Sequence, residues 1–422
     1  MTIELAKGVN LQVVPTKKYK TLHILIRSVT RLCKKTITKR TLLSSLLETN
    51  SLHYPDQVKI SEKLAELYGA NFGIYTSKKG NHHWLNVSMT IPNGRYLMND
   101  NQIFADSVDF LKEILFFPNI VNQAFEQETF QREKKNLAAY FKSVNEDKQV
   151  HAALALQQLY FDQSASQQIP SFGTLEDLEM ETAESMAKYY SQLIMNDPIE
   201  IFIIGDVTED QAVSLFKDLP FEDRKTENND IFYYQSDNNL IKERSEQEVL
   251  AQSKLNLGYH TGIYYGSEFY FALQVFNGIF GGFPHSKLFM NVREKENLAY
   301  YVSSSIDTFR GYLTIQTGID RNNREKVLHL IAEELENIRL GKISPLEMEQ
   351  TKAMLKNQYL SSLDNVQAIF ENNYLKKLFT NYLSIDEQIR RMEAVTIEEI
   401  QKVASLIQLQ AIFFLEGVEE DA

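Results

Sequence analysis

The stretch GIFGGFPHSKLFMNVREKENLAYYVSSS, Gly278 to Ser305, decides how the rest of the chain reads. It carries three features in order. The first is the glycine pair Gly281-Gly282. The second is the group Ser286-x-Leu288-Phe289. The third is Arg293-Glu294-Lys295, followed by Leu298-Ala299-Tyr300. Adjacent glycines let a backbone be approached closely or turn tightly. An ordered string of this length is far more specific than one short motif.

Outward from this stretch, the chain repeats itself. Thr182 opens TAESMAKYYSQL, which leads into the apolar run Ile199 to Val207, IEIFIIGDV. Thr396 opens TIEEIQKVASLI, which leads into LQAIFFLEGV, Leu409 to Val418. Ser344 with Glu347, and Thr396 with Glu399, read as capping boxes, and Pro345 stands at a first helical position. Two occurrences of helix then apolar strand, so far apart, indicate tandem duplication of one domain. Runs of strands and runs of helices are clustered, which favours α+β with antiparallel sheets over a doubly wound fold. Expected strands cover residues 11–14, 23–28 and 72–91, and the apolar run at 199–207 is a strand covered by helices. Expected helices cover residues 41–52, 56–70 and 102–117, with a polar one from Val121 to Lys142. The charge-dense, turn-rich residues 221–245 form the best linker. The expected domains are therefore 1–220 and 246–422.

Composition removes several classes. The 422 residues carry 44 Lys+Arg against 56 Asp+Glu, a net charge of −12. That acidic balance speaks against a nucleic-acid binder. The single cysteine, Cys33, excludes an internal disulfide framework and any multi-cysteine zinc site. No apolar run approaches the ~20 residues of a membrane span. The opening MTIELAKGVNLQVVPTKKYK lacks an apolar leader core, so the expected location is cytoplasmic.

The signature segment resembles the C-terminal half of the pitrilysin/insulinase metallopeptidases, the inverzincins. Phe116-Phe117-Pro118, GTLEDL at 173–178, IIGDV at 203–207 and ISPLEME from Ile343 fall in family order. The resemblance implies two homologous αβ domains per chain, of the mitochondrial-processing-peptidase type. Two such chains close like a clamshell around a peptide. It also implies a zinc motif H-x-x-E-H on the first helix, with a further Glu on a later helix. The matching positions here read Ser45-Leu46-Leu47-Glu48-Thr49, and the later Glu aligns with Tyr140. The Glu survives and all three ligands are replaced. Hydroxyls are poor zinc ligands beside imidazole and carboxylate. Without the metal, water keeps a pKa near ~15.7 instead of about 7, and Glu48 has nothing activated to work on. The chain itself is therefore expected to need no cofactor and to lack zinc hydrolysis.

The resemblance further implies that Arg293 and Tyr300 hold a peptide backbone and its oxyanion. An ion pair of Arg293 with Glu294 or Glu296, and a packed Tyr300, fit the residues equally well. Gly281 and Gly282 fit either an open edge for strand addition or a tight turn. His82 and His83, adjacent in a strand, point to opposite faces and are read as ordinary polar residues. Cys33 is read as a passive surface or strand cysteine. The resulting expectation is a non-catalytic partner subunit for a zinc peptidase homologue bearing an intact motif, with a peptide as ligand. A copy of itself is the other candidate partner. A structural or binding module with no proteolytic partner is the alternative, and an active hydrolase with relocated ligands ranks last.

Overall fold

Alternating apolar residues in the first two hundred positions build one face of a six-stranded sheet. The structure, a computed structural model, describes residues 2–98, 102–224, 230–236 and 240–418. It divides into two compact units: residues 1–143 with 169–230, and residues 144–168 with 231–422.

The first unit holds strands β1 (Thr2–Ala6), β2 (Val9–Pro15), β3 (Thr21–Arg31), β4 (Asn71–Lys79), β5 (His82–Pro92) and β6 (Ile199–Gly205). Their order is β1-β2-β6-β3-β5-β4, and only β2 and β6 run parallel. Leu22, Ile24 and Ile26 of β3 and Ile199, Ile201 and Ile203 of β6 point into a common core. Helices α1 (Lys34–Thr49), α2 (Gln57–Glu66), α3 (Ile103–Phe116), α4 (Gln127–Glu146) and α6 (Ala183–Asn196) also bury side chains there. Every residue of β6 is buried, Glu200 included, as its almost wholly apolar run predicts for a strand covered by helices.

The second unit holds β7 (Lys242–Val249), β8 (Ser253–His260), β9 (Ala299–Asp307), β10 (Tyr312–Ile319) and β11 (Gln408–Val418). Their order is β9-β10-β8-β11-β7, again with a single parallel pair, β11 with β7. Read from the outer edge inward, β4-β5-β3-β6-β2 and β9-β10-β8-β11-β7 are the same topology. The duplication expected from sequence is thus visible in the strand order, and β1 is an addition to the first copy. One face of the second sheet packs on helices α8 (Tyr270–Asn277), α9 (Arg324–Arg339) and α13 (Ile397–Leu406). Helix α7 (Glu209–Phe216) belongs to the first unit, and α10 (Pro345–Ser362), α11 (Val366–Leu378) and α12 (Ile385–Ala394) to the second. The expected capping boxes form at Ser344/Glu347 and Thr396/Glu399, and Thr182 makes a third with Ser185.

Two boundaries differ from the sequence reading. The segment 144–168, inside the expected 1–220 domain, belongs to the second unit. Its helix α5 (Lys148–Tyr160) lays Ala152, Ala155, Leu156 and Tyr160 against Tyr312, Ala411, Phe413 and Leu415. The physical reason is the far face of the second sheet, which is apolar and needs a cover. The expected linker 221–245 is also shorter than its composition suggested, because β7 begins at Lys242 and Ile231 is already buried. Residues 225–229 and 237–239 of that linker lie outside the described residues. No helix among the described residues is long and apolar enough to cross a membrane.

Candidate functional site

Helix α1 presents the degenerate motif near its C-terminal end. It is a strongly buried helix: Leu42, Leu43, Leu46 and Leu47 fix it on the sheet. Arg40, fully buried, pairs with Asp197, which also accepts from Ser28 Oγ at 2.8 Å. Asn50 Nδ2 donates to Thr129 Oγ1 at 2.8 Å and ties the end of α1 to the start of α4.

Thr49, Glu48 and Tyr140 each have a structural use. Thr49 is buried and turns its hydroxyl back on its own helix, donating to the Ser45 carbonyl at 2.9 Å. Glu48 accepts the backbone N–H of Ile74 at 3.0 Å. Ile74 lies on β4, the edge strand of the sheet, so Glu48 closes one of the edge's outward backbone donors. Burial pushes the Glu48 carboxyl above the usual carboxylate range; the Ile74 N–H opposes this and the Glu133 carboxylate adds to it. Glu133, buried on α4, is held by Arg132 Nε at 2.8 Å. Tyr140, two helical turns further along α4, packs edge-on against Phe172 at 5.5 Å and is 47% exposed.

The donor set does not fit zinc. One hydroxyl is committed to its helix, another belongs to a tyrosine packed on phenylalanine, and the third is a serine. Glu48 and Glu133 supply two carboxylates with no imidazole beside them. Among the described residues no group of three or more His, Cys, Asp or Glu is placed to hold a metal. The histidines lie elsewhere. His82 and His83 are both buried in β5. Burial, reinforced by Arg40, lowers the His83 pKa to about 3, while its Nε2 lies 2.9 Å from the Ser171 carbonyl. His53 follows α1 and contacts Glu113 Oε2 through Nδ1 at 2.7 Å. Cys33 is exposed at the N-cap of α1 and makes no side-chain cap.

The signature stretch forms a different surface in the second unit. It folds as two wide helical turns, Gly278–Gly282 and Phe289–Lys295, then enters edge strand β9. Gly281 is buried there: a Cβ on it would lie 2.7 Å from Ser304 Oγ and 3.0 Å from Leu288 Cδ1. Close approach of the turn to β9 therefore requires glycine at 281. Gly282 is exposed, and a Cβ on it would lie 2.7 Å from Asn277 Nδ2. Asn297, at positive φ, reverses the chain between the turn and the strand. Tyr300 is the extra residue of a bulge between Ala299 and Tyr301, which re-aims its side chain. It is 60% exposed and its hydroxyl donates to Asp320 Oδ1 at 3.2 Å. Arg293 is partly exposed, with its guanidinium 4.6 Å above the Phe289 ring and 3.7 Å from Glu294. Asp320 and Glu133 were not singled out from sequence. Glu133 stands in the run REKKNL, Arg132 to Leu137, and only its placement beside Glu48 gives it meaning.

Residues 181–355 match the family described as the peptidase M16 inactive domain. Over 417 residues the chain is 33% identical to the probable inactive metalloprotease YmfF of Bacillus subtilis (strain 168), spanning 98% of this chain and 96% of that one. The chain belongs to the peptidase M16 family. A crystal structure of a conserved protein from Enterococcus faecalis V583 superposes with a TM-score of 0.97 at 63% identity, covering 100% of this chain and 99% of that one. The peptidase M16 inactive domain from Pseudomonas fluorescens shares the fold, with a TM-score of 0.78 at 16% identity and coverage of 100% and 99%. Within the M16 family this chain is an inactive metalloprotease homologue.

Proposed function

We propose that the chain is the non-catalytic partner of a zinc-bearing M16 homologue, and that it contributes Arg293 and Tyr300 to peptide binding. The observation that carries this is Tyr300. A phenol set on a bulge at the open edge of a sheet, and 60% exposed, has little packing role. Its hydroxyl, by turning from Asp320, and the partly exposed guanidinium of Arg293, by turning from Glu294, would donate to a peptide carbonyl or its oxyanion. Glu48, by contrast, serves its own fold through Ile74. The division of labour follows: the partner supplies the activated water, and this chain supplies electrophilic donors and half of the enclosure. Zinc belongs to the partner chain in this reading, and a peptide is the ligand.

The test is reconstitution. The purified chain is mixed with a homologue bearing an intact H-x-x-E-H, and complex formation and peptide cleavage are measured. A complex whose cleavage rate falls about tenfold or more in Arg293→Ala, and less in Tyr300→Phe, supports the reading. No complex, or a complex indifferent to both substitutions, overturns it.

A further inference from the structure

A cavity of about 1200 Å³ opens in the second unit, built by residues the M16 chemistry does not use. Its wall is aromatic: Phe232, Tyr234, Tyr264, Tyr265, Phe379 and Tyr382 all line it. All of these rings but Tyr382 form one connected set. Tyr234 and Tyr264 lie 4.8 Å apart, Phe232 and Phe379 5.6 Å, and Tyr265 and Phe379 5.2 Å. Packing of that kind fixes the rings in place before any ligand arrives. Tyr234 remains 60% exposed and the other five are only partly buried, so ring surface faces the opening.

The charges around the rings select the ligand. Arg391 lines the cavity, and its Nε donates to Glu387 Oε1 at 3.1 Å, a carboxylate it shares with Arg390. Glu399 is engaged at the start of α13, accepting the Thr396 N–H at 2.9 Å. Glu268 also lines the cavity and is exposed, and among the described residues it has no ion-pair or hydrogen-bond partner. Two carboxylates and one guanidinium line the cavity, so its lining is net negative, in a chain of net charge −12. Aromatic faces beside a carboxylate attract a cation through the ring quadrupole and the ionic charge together. The chain already uses this contact internally, with the Arg27 guanidinium 3.9 Å over Trp84. Size sets the rest. The volume exceeds the roughly 300–1,000 Å³ of ordinary small-molecule sites, so it fits a segment several residues long.

We propose that this aromatic cavity binds an extended peptide segment through one arginine or lysine side chain, seated on the rings beside Glu268. The site is independent of Arg293, Tyr300 and any partner chain. The test is fluorescence anisotropy on the full chain alone, with a labelled hexapeptide bearing one central arginine. Replacing that arginine by citrulline keeps the shape and removes the charge, and should weaken binding about fivefold or more. Glu268→Gln and Tyr234→Ala, both at exposed positions, should each weaken it about threefold. Rising salt should weaken the arginine peptide and leave the citrulline peptide unchanged. Arg293→Ala should bind as the unsubstituted chain does. Equal binding of the two peptides, or undiminished binding by the Glu268→Gln/Tyr234→Ala double variant, overturns the proposal. So does loss of binding in Arg293→Ala, which would place the peptide at the signature surface instead. Blocked arginine alone binding as tightly as the hexapeptide would remove the peptide from the proposal.

Discussion

Glu48 shows how a residue outlives its chemistry. Its carboxylate holds the Ile74 N–H at 3.0 Å, on an edge strand that needs its donors closed. Its folded pKa is raised, by burial first and by Glu133 after it. A raised acid favours the folded state only below its ordinary titration range, and that advantage is lost as pH rises through the folded value. Glu48→Gln, which keeps the acceptor, should therefore raise Tm at pH 7, with the gain vanishing as pH falls below about 4. Thermal denaturation across pH checks this, and a gain independent of pH would refute it. Glu48→Ala removes the acceptor and should cost about 1–3 kcal/mol. Asp197 makes a sharper case. It is the ion-pair partner of fully buried Arg40, and its own pKa is raised by burial against the pull of Arg40. Asp197→Ala should cost about 3–5 kcal/mol in denaturant unfolding, because it strands a buried guanidinium. Replacing both partners by apolar residues should recover most of the loss. That Ser45, Thr49 and Tyr140 take the places of zinc ligands is what the family resemblance implies. The Thr49 bond to its own helix is local, whereas the burial of His83 beside Arg40 depends on neighbours far away in sequence.

Elements were legible where their period is local. The helix expected at 102–117 forms over Ile103–Phe116, and the apolar run at 199–207 gives β6. The helix expected at 121–142 begins later, at Gln127, because a short hairpin at 120–125 intervenes after Pro118. What a helix packs against is not written in its own period, and α5 is the example. Tyr160 rests on Tyr312 at 4.3 Å, over Gly258 of β8, where a Cβ would lie 3.0 Å from the Tyr160 ring. Tyr160→Ala should cost about 3–5 kcal/mol. Hydrogen exchange should then quicken in β8 and β11 while β6 keeps its protection, since α5 belongs to the second unit. Equal loss in both sheets would contradict that assignment. The turn at Gly281 is equally specific. Gly281→Ala should cost about 1–3 kcal/mol, the usual range for overpacking, and Ser304→Gly in the same chain should relieve part of it.

At the scale of the molecule, one topology is used twice, but the second copy depends on a helix inserted in the first. Residues 231–422 expressed alone would leave Tyr312, Phe413 and Leu415 bare on one face of their sheet. That fragment should bind a hydrophobic dye and lack fixed near-ultraviolet signals, and a peptide of residues 144–168 added in trans should restore them. A well-folded fragment that ignores the peptide would show that α5 is dispensable. The same insertion has a consequence for synthesis. The first sheet has all its strands once β6 is made, and its unit is complete at residue 230. Helix α5 is made before that, yet its seat includes β11, about 250 residues downstream of Tyr160. At roughly 5–20 residues per second, the apolar stripe of Ala152, Ala155, Leu156 and Tyr160 waits about 12–50 seconds for its seat. During that interval the nascent chain carries a finished first unit with a sticky helix hanging from it. That helix is the natural point of capture for a chaperone, and the place where two neighbouring nascent chains would exchange partners.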